Sequence, residues 1–215
     1  MSEKPILFSA PMVRALLAGT KTQTRRVVKH EHSAEIEVWR WNGVSWRFGV
    51  YGEGGVAADM GGMACPYGGC GDSLWVKETW RPQASRTQVA WNVHYAADGQ
   101  GLTASLAMVP ETWRRPKAAA TGNVSPLFMP RWASRITLGI VGVRVEKLKD
   151  ISGRDAMAEG LTQCGDKGWH AGDEAACWTD PRDAYRALWE NINGADSWTL
   201  NPWVWVVEFN TRVAQ

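Results

Sequence analysis

Lys21 and Thr24 stand three positions apart in Gly19-Thr20-Lys21-Thr22-Gln23-Thr24-Arg25-Arg26, and between them they offer an amine and a hydroxyl. A threonine hydroxyl is a poor nucleophile at neutral pH and needs a base to take its proton. A lysine serves as that base once it is partly neutral, and burial or nearby cations move its pKa the required way. Arg25, Arg26 and Lys29 supply such a field. The competing reading of the same residues is a solvated basic face with ordinary strand threonines.

Two carboxylates are candidates to complete such a site. Gly71-Asp72-Ser73-Leu74-Trp75-Val76-Lys77-Glu78-Thr79-Trp80 reads as a turn and then a strand, with Leu74, Val76, Glu78 and Trp80 on one face. If that face points inward, Glu78 needs a buried cation such as Lys21 or an arginine, or a place at the wet end of the strand. Glu159 closes a short helix that Ser152-Gly153-Arg154-Asp155 opens as a capping box and Gly160 ends. A negative charge sits there against the helix dipole, which marks either a function or a side chain reaching water.

Other chemistry-bearing residues point elsewhere. Cys65, Cys70, Cys164 and Cys177 miss the paired Cys-x2-Cys spacing of a zinc site, and reduced thiols are expected. His30-Glu31-His32 receives no role. The 14 tryptophans exceed what a chain of this length normally carries, so most must fill core, although flat indoles also suit a pocket that stacks on a planar ring.

The elements that must position Lys21 and Thr24 lie on either side of them. Ser9 to Ala18 has a capping serine, a proline in the first turn and apolar residues at helical spacing, and Gly19 is the left-handed stop. Thr22, Thr24 and Val27-Val28 then favour extended chain. Glu35 to Val50 reads as a β-hairpin turning at Asn42-Gly43, and Tyr51 to Gly71 as a glycine-dense loop. After a weakly patterned stretch from Arg81 to Ser125, Ile136 to Val145 is a central strand whose entry Arg131 and Arg135 bracket. Asp180-Pro181 opens the strongest helix, striped by Ala184, Tyr185, Leu188 and Trp189, and Trp203 to Phe209 forms a second central strand.

At 215 residues with a net charge of +2, the chain suits one domain with a real core and lacks the basic excess of a long-duplex binder. Its polar start, Met1-Ser2-Glu3-Lys4-Pro5, does not resemble a signal peptide, and no segment approaches a membrane span, so a cytoplasmic protein is expected.

The opening helix, Gly19-x-Lys21-x-x-Thr24-x-Arg26, the later Gly71-Asp72-x-Leu74-x-Val76 and the closing apolar strand together resemble the ASCH domain family. That resemblance implies an α+β chain with a PUA-like small β-barrel, flanking helices and long loop insertions, as a single domain over 1–215 with insertions at about 30–70, 81–125 and 161–179. One enzyme group of the family hydrolyses N4-acetylcytidine to cytidine and acetate with a lysine and threonine of this motif and a glutamate from the helix after the central strands. By that likeness the lysine and threonine are Lys21 and Thr24, and the glutamate is Glu159, with Glu78 the competitor. The implied chemistry is amide hydrolysis without metal or cofactor: Lys21 as base, Thr24 as nucleophile, Glu159 orienting or protonating, and Arg26 or a backbone amide facing the oxyanion. Trp75, Trp80 and Tyr67 are the candidate stacking partners for the pyrimidine, and the insertions would set acyl tolerance. The implied partner is a modified nucleoside. The alternatives are a non-catalytic reader of RNA or modified bases, in which the same cations contact phosphate, and a ribonuclease.

Overall fold

A computed structural model describes residues 1–29, 36–41, 45–51, 57–87, 89–165, 168–172 and 176–214. In chain order these residues form β1 (Glu3–Leu7), α1 (Ala10–Leu17), β2 (Gln23–Val27), β3 (Val38–Trp41), β4 (Trp46–Tyr51), β5 (Ala57–Met63) and β6 (Ser73–Lys77). They continue with β7 (Trp80–Ala84), β8 (Ala90–Tyr95), β9 (Gly101–Ser105), β10 (Ile136–Lys147), α2 (Gly153–Ala158), β11 (Thr162–Cys164), β12 (Gly168–His170), α3 (Pro181–Asn193) and β13 (Trp203–Val213). The expected α+β class is what the chain adopts. Among the described residues the central sheet runs β1-β6-β10-β13-β2 and does not close on itself.

The long antiparallel pair β10 and β13 is the spine of the sheet. Side chains alternate across a strand, and β13 buries both faces: Trp205, Val207 and Phe209 join the main core with Val13 and Leu16 of α1, whereas Val204 and Val206 join a second core with Tyr185 and Trp189 of α3. A strand covered on both sides must be apolar throughout, which explains its sequence. Among the described residues β2 pairs with β13 alone, so its other edge is open to whatever α1 and α3 present there.

All three expected insertions carry structure of their own. The stretch from Tyr51 to Gly71, expected as loop, contributes β5, because pairing with β4 asks for backbone rather than side-chain propensity. The stretch from Arg81 to Ser125, a weakly patterned insertion in which Val89 to Tyr95 reads as a strand, holds that strand as β8 within a three-stranded sheet, β7-β8-β9, over a separate core of Trp80, Val93, Tyr95, Ala119, Val124, Met129 and Ala133. The β3–β4 hairpin forms as expected, although its turn at Asn42-Gly43 lies outside the described residues, as does His30-Glu31-His32. In the third, β11 pairs with β12, and Cys164 and Cys177 are joined by a disulfide rather than reduced. Cys65 and Cys70 are free, and no group of three or more metal-ligating side chains converges among the described residues. No described helix is long and apolar enough to cross a membrane.

Candidate functional site

Gly19, at φ +74°, ends α1 and turns the chain toward β2. Ser9 occupies the cap position of α1, but its hydroxyl makes no capping bond. Between Gly19 and β2, Lys21 forms an isolated bridge with Glu159, and the Thr22 amide donates to the Ala158 carbonyl at 2.9 Å. The basic stretch is therefore clamped onto the end of α2 rather than laid out in solvent.

Lys21 is fully buried. Its Nζ donates to the backbone carbonyl of Glu159 at 2.7 Å and to carboxylate Oε2 at 2.9 Å, and it lies 5.6 Å from the centroid of the Phe8 ring. Burial holds the amine below the ordinary lysine range; Glu159 opposes that fall, while the Arg26 and Arg25 charges add to it. The other carboxylate oxygen of Glu159 accepts from Nη1 of Arg25 at 3.0 Å. Arg25 also pairs with Glu146, and Arg144 ties Glu146, Asp155 and Glu208 into the same network. Ser152 caps α2 as expected by accepting from the Asp155 amide, and the Asp155 carbonyl accepts from Gln23 at 2.8 Å.

Gly160 makes the approach of α2 possible. Its φ is +95°, and a Cβ there would lie 2.8 Å from Cβ of Ala15 and 2.9 Å from Cβ of Lys21. Only glycine meets both demands.

Thr24 is opposite Val207 and Arg26 opposite Trp205, which puts both side chains on the Phe8 side of the sheet. Arg26 covers Phe8 at 5.2 Å from the ring centroid and donates to the Leu7 carbonyl at 2.7 Å, leaving its Nε buried without an acceptor. Thr24 is 2 % exposed, its side chain forms no hydrogen bond among the described residues, and the residue lines a recess of about 60 Å³ with Met12, Arg26, Glu159, Tyr185 and Trp189. The Val28 amide donates to the Trp203 carbonyl and the Phe209 amide to the Thr22 carbonyl, so by alternation the amides of Gln23, Arg25 and Val27 face the open edge. Tyr185 sits beneath Arg25, 5.9 Å from ring centroid to guanidinium, and burial first, then the Glu159 charge, push its phenol well above the usual range.

Glu78 is buried, as its strand face implied, but it does not approach Lys21. It accepts from Nε and Nη2 of Arg135 at 2.9 and 3.0 Å, and Arg135 spans onward to Asp98 at 2.8 Å while covering Tyr95 at 4.0 Å. This cluster fastens the β7-β8-β9 sheet to the central one. Trp80 is wholly buried against Trp132 in that module's core, so it is a packing residue rather than a stacking one. Trp75 is half-buried beneath Lys77 on β6. Tyr67 packs on the main core, where burial raises its phenol and the nearby Arg26 charge opposes the rise. None of the three lines the recess.

Pattern reading missed Glu146, Tyr185 and Trp189 as members of this neighbourhood. Tyr185 and Trp189 were legible only as a helix stripe, and the Arg25–Glu146 pair joins residues too far apart in sequence for spacing to connect. Lys21 lines neither of two roomier clefts. One of about 580 Å³ is walled by Trp41, Trp46, Cys70 and Asp72, and another of about 620 Å³ runs along Thr22, Arg144, Glu146 and Glu208. Compared with models of protein families, with curated proteins and with solved structures, the chain matches none.

Proposed function

We propose that the protein is an amide hydrolase acting on N4-acylated cytosine nucleosides, N4-acetylcytidine being the reference substrate, in an ASCH-type site on a PUA-like scaffold. The observation that carries this reading is the shared environment of three residues: a buried Lys21 whose amine is bonded to Glu159, and Thr24, which lines the same recess as Glu159.

In the proposed sequence the Lys21 ammonium passes a proton to Oε2 of Glu159 along their hydrogen bond, since burial disfavours the charged amine. Arg25 holds the other carboxylate oxygen and keeps the transfer reversible. Neutral Lys21 then takes the Thr24 proton as Oγ1 attacks the acyl carbonyl. The amide C–N bond breaks, the cytosine nitrogen leaves with a proton from Glu159, and the acyl group remains as a threonine ester. Lys21 passes its proton to Glu159 again, water attacks the ester as Lys21 takes its proton, the acyl C–O bond to Oγ1 breaks, and Oγ1 regains a proton from Lys21 as the carboxylic acid departs and Thr24 is restored. The outward-facing Arg25 amide is next in sequence to the nucleophile, and such an N–H is a suitable donor to the oxyanion.

The recess, at about 60 Å³, is far below the roughly 300 Å³ at which small-molecule pockets begin, so only the acyl end enters and the nucleoside stays at the mouth. Burial of Lys21 and Arg25 counts against the reader and ribonuclease alternatives, because neither cation can reach a phosphate without breaking its bonds to Glu159. The test is conversion of N4-acetylcytidine to cytidine, followed by absorbance, in the native chain and in Lys21→Met and Thr24→Val. Turnover that falls about 10²-fold or more in each variant is the expected result. Undiminished turnover in Thr24→Val rejects the nucleophile, and no turnover by the native chain rejects the reading.

A further inference from the structure

The cleft of about 580 Å³ has no part in the chemistry proposed above, since none of Lys21, Thr24 and Glu159 lines it. Its volume falls within the roughly 300–1,000 Å³ of small-molecule sites. Part of its lining is a pair of indoles. Trp41 and Trp46 are opposite each other across the β3–β4 hairpin, with ring centroids 5.5 Å apart and planes at 49°. Trp46 is backed by Trp205 of β13 at 6.4 Å, while Trp41 remains 55 % exposed. An exposed indole beside an anchored one is an arrangement on which a flat ring stacks.

The rest of the lining belongs largely to the loop that leads into β6, and that loop is tied down. The Asp72 carboxylate accepts from the Ser2 amide at 2.6 Å and the Gly69 amide at 3.1 Å, which hold it in its charged form. Lys4 Nζ donates to the Pro66 carbonyl at 3.0 Å, and the Gly71 amide donates to the Ile140 carbonyl of β10 at 2.9 Å. Gly68 has φ +113°, and a Cβ there would lie 2.9 Å from Oδ2 of Asp72, so glycine is what lets the carboxylate fold back onto the loop. A wall fixed in this way loses little freedom when a ligand arrives.

Lys4 and Asp72 bring one cation and one anion to this lining, so their charges cancel. Each keeps capacity beyond the bonds above: an ammonium has three N–H groups and a carboxylate about four lone-pair positions. The ligand that matches is flat, neutral overall and provided with a donor and an acceptor on one edge. We propose that this cleft is a nucleobase-binding site, the ring stacking on Trp41 and Trp46 and its polar edge meeting Lys4 and Asp72. The site is separate from the hydrolase centre and stands or falls without it.

The test is calorimetric titration of adenosine, cytidine and, as a control, ribose into the native chain, Trp41→Ala and Lys21→Met. Both nucleosides should bind the native chain and ribose should not. Trp41→Ala should weaken nucleoside binding by about 10-fold or more, the size of one base–aromatic stack, and the exposure of Trp41 leaves the core intact in that variant. Lys21→Met should bind as the native chain does. A second readout needs no variant: Cys70 lines the cleft and is the exposed member of the two free cysteines, so its alkylation by iodoacetamide, followed by mass spectrometry, should slow several-fold under saturating adenosine. Absence of binding by either nucleoside, binding that Lys21→Met abolishes and Trp41→Ala leaves unchanged, or alkylation indifferent to adenosine overturns the site. Trp41-dependent binding in a chain that turns over no acylcytidine supports the site and rejects the hydrolase alone.

Discussion

Lys21 and Glu159 meet twice, the amine of the first donating both to the main-chain carbonyl and to the carboxylate of the second. The carbonyl anchors the amine whatever the charge on the carboxylate. In the proposed mechanism a proton passes between the two side chains without releasing the lysine from its place.

The pair should be costly to break and cheap to replace. Glu159→Ala leaves the Lys21 and Arg25 cations without their shared partner in the interior, and a loss of about 3–5 kcal/mol is expected in urea unfolding. Lys21→Met removes one charge, keeps much of the volume and leaves Glu159 paired with Arg25. It should unfold within about 1–2 kcal/mol of the native chain, in either direction, while losing activity. A Lys21→Met protein as unstable as Glu159→Ala would show that the lysine is held for structure.

The pH dependence follows from the sign of the Lys21 shift. Its folded pKa lies below that of a free lysine, so between the depressed value and about 10.4 the unfolded chain carries more protons than the folded one. Stability attributable to Lys21 must then increase as pH rises through that window. The unfolding free energy of the native chain minus that of Lys21→Met, measured in steps from pH 7 to 10, should climb. Hydrolysis rates should climb over the same range, and a difference that falls with pH would contradict the depressed pKa.

Glu78 and Arg135 give the control for a buried carboxylate outside the site. Arg135→Met strands Glu78, which is 1 % exposed, and a loss of about 3–5 kcal/mol is expected. The double variant Glu78→Gln with Arg135→Met should recover part of that loss. Glu78→Gln alone should keep near-native kcat once folded, since no bond links it to Lys21. A hundredfold drop in kcat would return Glu78 to the chemistry.

Gly160→Ala should remove activity and about 2–4 kcal/mol of stability together, because the added methyl meets Ala15 and Lys21 at a positive φ. Circular dichroism melts alongside turnover assays measure both. A stable, active Gly160→Ala would mean that α2 does not need its present closeness to Lys21.

Reduction of the Cys164–Cys177 bond closes the set. It links residues 13 apart, a loop for which chain entropy gives about 3 kcal/mol. Dithiothreitol, or Cys164→Ala with Cys177→Ala, should lower the melting temperature by several degrees; an unchanged melt would show that the ribbon of β11 and β12 contributes nothing to global unfolding.

The elements flanking the site were readable because local chemistry specifies them: the proline and Gly19 around α1, the capping box of α2, the Asp180-Pro181 start of α3, and the apolar run of β13. Glu78 shows where such reading stops. Its strand alternation announced burial correctly, yet nothing local could say whether Lys21 or Arg135 would reach it, since that depends on how strands far apart in sequence are ordered in the sheet. The β7-β8-β9 sheet was hidden for another reason. Its strands are short and mixed, and they are held by a core assembled from tryptophans and alanines scattered over some fifty residues. The disulfide was missed because the even cysteine count was weighed against compartment rather than against geometry.

Among the described residues the strand that carries Thr24 has a single neighbour in the sheet, and that neighbour, β13, follows every other described element in sequence. β2 therefore has no sheet partner until β13 has been made, and one wall of the recess waits on a pairing between opposite ends of the described sequence.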